Sequence, residues 1–516
     1  CQKKFREWLK NKYGTLDKLN ASWWTGFWSH KYTDWDQIHS PSPQGECLTT
    51  ALTLDWKRFS SEQITDFCKM EADALREFSD LPTTTNMMGF FKGVDYNTLK
   101  NAVDIISWDN YPFWHERKDE VPEAVYTSAG NALMRSLKRE PFLLMESTPS
   151  SVSWRSHNPL KRPGMHMLSS MQAVAHGADS VQYFQWRKSR GGYEKFHGAV
   201  VDHKNGSDTR TFREVTEVGK RLEHLSGGIK TFLNRAKAAI VFDWENWWAV
   251  EDTSGPRQDL DYVKCVTDHY RAFWECGLDV DFVSMDDDFS GYRLLAAPLN
   301  YMYKKGYSEK VRAFVEAGGT YVTTYFSGIV NETDLCFIGR HPLEDVLGVV
   351  SEEMDAPSKE FENCFDYNGK EYPAYTMCDI VHAKAKTEIY SVYKKDFYKG
   401  CPVVTENAYG SGRAYYLSAE SDQRFLSAFY KDVFIKAGLL KEASSADRIL
   451  KRLPHGVTAA KREDETGRKG LVFVMNFNDR QVRLEGIGKQ IDAESGEVYE
   501  NVLEMAPFSC TILKLK

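Results

Sequence analysis

Apolar residues recur every three to four positions in FREWLKNKYG, placing Phe5, Trp8 and Leu9 on one helical face that stops at Gly14. A second helix is predicted from about Leu54 to Phe78, with Ile64, Phe67, Cys68, Leu75 and Phe78 at helical spacing. Between them runs a polar, aromatic-rich loop from Asn20 to Ile38, and loops of that length in compact domains tend to be functional. Further on, short apolar runs alternate with helical stretches. TTTNMM (83–88), VDIISWDNYP (103–112), PFLLMESTP (141–149) and SVQYFQWR (180–187) read as strands. Helical patterns lie around 124–138, in HMLSSMQAVAHG ending at Gly177, and in FREVTEVGKRLEHL. Such alternation predicts repeated βα units on a parallel sheet.

Ser226-Gly227-Gly228 reads as a linker. Past it, AAIVFDW, DVDFV, YRLLAAP and GGTYVTTYF are strand-like with helices between them, which predicts a three-layer α/β region ending near Lys441 after the helix RFLSAFYKDVFIKAG. From about Ser445 the helical period is lost. GVTAAKRED, GLVFVMNF, QVRLEG and CTILKLK predict a small antiparallel β-domain. The expected division is therefore 1–228, 229–444 and 445–516.

Composition changes this picture little. A chain of 516 residues with 42% hydrophobic and 27% charged residues is ordinary for a globular protein and implies several domains. A net charge of −7 and the lack of a basic run argue against nucleic acid as a partner. No apolar stretch is long enough to span a bilayer, so no membrane role is expected. The 10 cysteines include no CxxC pair and read as reduced thiols of a cytoplasmic protein. The aromatic content of 13% suits a large core, and it also suits carbohydrate binding, because sugar rings stack their C–H faces on aromatic rings.

The candidate chemistry lies at strand ends. PFLLMESTP is an apolar strand that stops in Glu146, and in a parallel α/β barrel that end opens onto the active-site face. The neighbouring strand ends in Trp108, Asp109 and Tyr111. SVQYFQWR runs into KSRGGYEKFHG with Glu194 and His197, and Trp154 follows Glu146 closely. Acids, a histidine and aromatics on one face are what sugar recognition requires, and a carboxylate beside a developing oxocarbenium ion is what glycoside hydrolysis requires. Taken singly, each has a plainer reading: Glu146 leaving a strand into solvent, Glu194 pairing with Arg190, His197 as a structural histidine.

Three strings carry a resemblance: LLMESTPSSVSW, GADSVQYFQWRKSRGGYEKFHGAVVDH and YGTLDKLNASWWTGFWSHKYTDWDQI. They resemble the β-galactosidases of glycoside hydrolase family 42, over essentially the whole chain. The resemblance implies a (β/α)8 barrel, then an α/β domain involved in trimer formation, then a small β-domain. It implies hydrolysis of terminal β-galactosides with retention, no required cofactor, and a homotrimer. Glu146 corresponds to the nucleophile; Trp154, Glu194 and His197 correspond to galactose-binding residues. Tyr111 is expected near the nucleophile, and Trp28 resembles an aromatic that walls the site from a neighbouring subunit.

The family's acid/base is the Glu of an Asn-Glu-Tyr motif just before the helix that carries FREWLK, and that motif has no counterpart here. It is expected upstream of Cys1, with only the second half of the barrel, roughly strands five to eight, in this chain. Cys1 resembles the last member of a zinc cluster; a structural zinc takes four ligands, so a metal is expected only with further upstream cysteines. Two alternatives stay open: a related barrel glycosidase acting on β-glucosides or α-L-arabinopyranosides, and a non-catalytic galactoside-binding or assembly protein.

Overall fold

The computed structural model describes residues 1–42, 49–229, 232–440 and 453–515. Cys47 and the expected boundary at 444/445 lie outside the described residues. Helix α1 (Gln2–Tyr13) buries Phe5, Leu9 and Tyr13 and closes on Gly14, whose φ of 75° a side chain would resist. Helix α2 (Leu16–Ser22) follows, and α3 spans Thr50–Arg76. The buried face of α3 is not the predicted one. Leu54, Asp55, Arg58 and Phe59 face inward, whereas Ile64, Phe67, Leu75 and Phe78 are exposed. The reason is tertiary: α3 packs on α1, on α8 (Trp244–Asp252) and on α4 (Tyr96–Leu99), and those contacts select a different stripe of the helix.

Strands β1 (Asn86–Met87), β2 (Ser107–Asp109), β3 (Phe142–Glu146) and β4 (Ala178–Val181) form a parallel sheet in sequential order. Helices α5 (Val121–Lys138) and α6 (Met165–Ala175) cross between them, and α7 (Arg210–Ile229) follows. This is the βα alternation of a (β/α)8 barrel. Two sequence readings are corrected. Ser226-Gly227-Gly228 is not a linker but part of α7, which runs to Ile229; no tertiary contact forces a break there. The predicted strand 180–187 stops at Val181, because beyond Gln182 the chain folds back and pairs with residues 198–201 instead.

The next segment is a seven-stranded sheet with β5 (Ala238–Val241), β6 (Val280–Val283) and β7 (Leu294–Ala297) at one side and Thr320–Thr324, Gly412–Leu417, Pro402–Tyr409 and Glu388–Val392 continuing outward. Its two faces read directly from alternate residues. Ala238, Ile240, Leu294 and Ala296 pack against Phe273 and Phe434, whereas Ala239, Val241, Leu295 and Ala297 pack against Val311 and Val315. That is the expected three-layer arrangement. A second antiparallel sheet built on Lys370–Ala383 and Val349–Asp355 was not foreseen: VVSEEMD is exposed along most of its length and carries no period-two signal. In the last segment Val457–Glu463, Gly470–Asn476 and Ser509–Leu515 pair antiparallel as expected.

Buried arginines tie these segments together. Arg135 of α5 reaches Asp281 of β6, and Arg462 of the last segment reaches Asp179 and the carbonyls of Val174 and Ala178.

Candidate active site

The ends of β1, β2 and β3 bring three polar side chains together. Asp109 and Glu146 are register neighbours on adjacent strands. Asn86 Nδ2 donates to Asp109 Oδ1 at 2.8 Å and reaches Glu146 Oε1 at 3.2 Å. Tyr111 donates its hydroxyl to Glu146 Oε2 at 2.5 Å. Glu146 is half-buried and joins no ion pair among the described residues. Burial, then the neighbouring Glu146 charge, pushes the Asp109 carboxyl up to about 6. Burial and the bond to Glu146 likewise push the Tyr111 phenol up, so it remains a proton donor.

Trp108 does not face this site. Its side chain is buried on the helical side of the sheet, where a Cβ on Gly130 would lie 2.7 Å and one on Gly89 2.8 Å from its ring. Trp108 and Asp109 are successive strand residues and so point to opposite faces.

Past β4 the chain turns back along the Glu146 loop. Phe184 N–H donates to the Ser147 carbonyl and Gly198 N–H to the Ser151 carbonyl. Gly198 is required at that approach, because a Cβ would sit 2.4 Å from Thr148 Oγ1 and 2.5 Å from Ser150 Oγ. This fold-back delivers His197 to the cluster. Its ring meets Tyr111 edge-on at 5.8 Å, Trp154 at 5.3 Å and Phe184 at 5.1 Å. His197 is 0% exposed, and neither ring nitrogen makes a hydrogen bond of good geometry, although the Phe184 backbone lies close enough to act weakly on the ring. Burial pulls its pKa down, which keeps the imidazole neutral, with one donor and one acceptor. Trp154 meets Tyr111 edge-on at 5.0 Å and is 51% exposed, leaving an aromatic face open to a ligand.

Four sequence-predicted residues therefore converge: Glu146, Tyr111, Trp154 and His197. Glu194 is exposed and joins no ion pair among the described residues, so the Arg190 pairing does not form; its charge is felt at both Tyr111 and His197. A model described as β-galactosidase matches residues 1–225, and one described as β-galactosidase trimerisation domain matches 236–440. The β-galactosidase BglY of Alicyclobacillus acidocaldarius is 47% identical over 492 residues, covering 93% of this chain and 69% of that protein. The chain belongs to glycoside hydrolase family 42.

A second relative, the β-galactosidase Pbg of Clostridium perfringens, is 43% identical, with 100% of this chain and 76% of that protein covered. The crystal structure of the β-galactosidase from Rahnella sp. R3 superposes with a TM-score of 0.94 at 46% identity, covering 100% of this chain and 75% of that one. Family 42 membership brings with it the barrel and the domains that follow.

Trp28 does not reach Glu146 within this family 42 chain. It is 64% exposed, stacks on Phe27 at 4.6 Å, and lies with exposed Trp24 on the loop 23–30. Asn86 escaped sequence reasoning, although its place at the end of the TTTNMM strand is the same signal that pointed to Glu146. A cavity of about 1060 Å³ between α5 and α9 (Tyr262–Glu275) holds none of these side chains. Cys1 is a free, exposed thiol, and no three His, Cys, Asp or Glu side chains converge on a metal position among the described residues.

Proposed function

We propose that the chain is a retaining β-galactosidase in which Glu146 is the nucleophile. The observation that carries the reading is a strand-end carboxylate, held by Tyr111 and Asn86 and not by a cation, beside an open Trp154 face and a buried His197 with no side-chain partner. A carboxylate locked in an ion pair would be a poor nucleophile; one held by neutral donors keeps its charge and its direction.

In the first step Glu146 forms a bond to the anomeric carbon as the bond to the leaving oxygen breaks, and a second carboxylic acid gives that oxygen its proton. In the second step water, deprotonated by the same group, displaces Glu146. Retention requires the two carboxyl groups about 5–5.5 Å apart. We assign the stacking face of galactose to Trp154 and its hydroxyls to His197 and Glu194. A buried imidazole left unpaired by the wrong epimer rejects it, because the unmade hydrogen bond is costly. Tyr111 orients the nucleophile. We assign terminal β-galactosides or galacto-oligosaccharides as substrates and a homotrimer as the assembly, with the exposed Trp24, Phe27 and Trp28 loop presented to a neighbouring subunit, Trp28 walling its site. The domains 1–228, 229–444 and 445–516, a cytoplasmic location, no cofactor requirement, and zinc only where further cysteines supply a cluster complete this reading.

The test is chemical rescue. Glu146→Gly should abolish hydrolysis of nitrophenyl β-galactoside, and azide, attacking from the vacated face, should restore leaving-group release and yield α-galactosyl azide. Full hydrolysis by the Glu146→Gly enzyme would overturn the assignment.

A further inference from the structure

We propose that Arg155 is a positioning residue for the nucleophile, holding the Tyr111 backbone so that the phenol stays on Glu146. The proposal rests on the reading of Glu146 above. The strand ladder supplies its last bond at Asn110, whose N–H donates to the Glu146 carbonyl at 2.9 Å. Tyr111 lies one residue beyond, where the sheet no longer holds the chain.

Arg155 takes over at that point. Its guanidinium donates from Nη2 to the Tyr111 carbonyl and from Nη1 to the Pro112 carbonyl at 3.4 Å, and it lies 4.1 Å from the centroid of the Phe113 ring. Three successive residues of the strand exit are held by one planar group. Such geometry uses the guanidinium fork and its stacking face together, which an ammonium does not offer.

Its partners set Arg155 apart. Arg58, Arg135 and Arg462 each reach a carboxylate at the segment junctions. Arg155 forms no ion pair within 4.0 Å among the described residues and is spent on carbonyls and a ring, with burial lowering its pKa. Half-burying a cation with no acid in direct contact, only the more distant charges of Glu123 and Glu116, is costly, and here it fixes the loop that carries the hydroxyl donor to Glu146.

The adjacent residue acts on the same target. The Trp154 ring packs edge-on against the Tyr111 phenol at 5.0 Å. The dipeptide thus grips Tyr111 at both ends, ring on ring and guanidinium on carbonyl. Trp154 also faces the sugar, whereas Arg155 acts only through Tyr111.

A double-mutant cycle in the full-length enzyme tests this. Arg155→Met keeps the stem and removes the donors. Its kcat should fall by about tenfold to 10²-fold, the scale of a misplaced catalytic group, while the inhibition constant of galactose, which reads the Trp154 face, stays within about twofold. Arg155→Lys restores one donor and should fall between the two; it carries the same cycle if the Met variant does not fold. Adding either change to Tyr111→Phe should cost no further rate, because Arg155 acts through the hydroxyl already removed. Effects that multiply in the double variant, a galactose constant that weakens in step with kcat, or an unchanged kcat would each overturn the proposal. Azide rescue of Glu146→Gly separates the two failures. Multiplying effects beside intact rescue sink the role of Arg155 alone, and failed rescue sinks the nucleophile reading and this proposal with it.

Discussion

Tyr111 places its hydroxyl 2.5 Å from Glu146 Oε2 across two neighbouring strands. A donated bond to an ionised carboxylate contributes about 1.5–3 kcal/mol. Tyr111→Phe should therefore slow turnover of nitrophenyl β-galactoside by about 10- to 10²-fold. Galactose inhibition should persist, since the Trp154 face is untouched. Steady-state kinetics beside product inhibition checks this, and a wild-type kcat would show that the bond does not serve the reaction.

Trp154 is the counterpart. Its open face contributes stacking and no charge, so Trp154→Ala should raise KM and weaken galactose inhibition about 5- to 10-fold or more, from a loss of roughly 1–1.5 kcal/mol. A change confined to kcat would contradict a stacking role.

Asp109 gives a pH dependence with a definite sign. Its carboxyl is raised to about 6 in the fold, above the ordinary value of 3.8. Between those pH values the native state binds more protons than the unfolded one, so stability contributed by this group falls as pH rises from about 4 to about 6. Asp109→Asn should flatten that part of the profile of unfolding temperature against pH. A profile as steep as that of the parent would show that another group is responsible.

Gly130 is committed to Trp108. A Cβ there would lie 2.7 Å from the ring, and Gly89 closes the other approach at 2.8 Å. Overpacking of this kind costs about 1–3 kcal/mol, so Gly130→Ala should lower the unfolding temperature, with recovery in a Gly130→Ala, Trp108→Phe double variant. Additive losses in the double variant would rule out the steric account.

Arg58 joins the helix α3 to the second segment. It donates Nε to Glu245 at 2.6 Å, Nη1 to Asp55 at 2.8 Å and Nη2 to the Glu332 carbonyl at 2.7 Å. Removing it leaves Asp55 to Lys12 and Glu245 to Lys304, so the loss stays below the roughly 3–5 kcal/mol of a buried pair broken outright. Arg58→Met should unfold at markedly lower denaturant concentration, which chemical denaturation would measure.

The sequence pattern determined the existence of α1, α3, α5, α6 and α7, the four parallel strands and the three-layer sheet, because a helix that buries one face keeps a 3.6-residue repeat and a strand buried on both faces keeps a short apolar run. It also marked Glu146, since an apolar strand that ends in an acid is a local feature. The exposed stripe on α3, the antiparallel sheet on Lys370–Ala383 and the outward-facing Trp28 were decided only by tertiary packing. Each depends on which neighbour an element meets, and that is a contact between residues far apart in the chain. The same holds for the bonds of Asn86 and Arg155. A strand end marks Asn86 but not its partners, which strand register supplies; Arg155 meets residues more than forty positions earlier, which only the fold brings within reach.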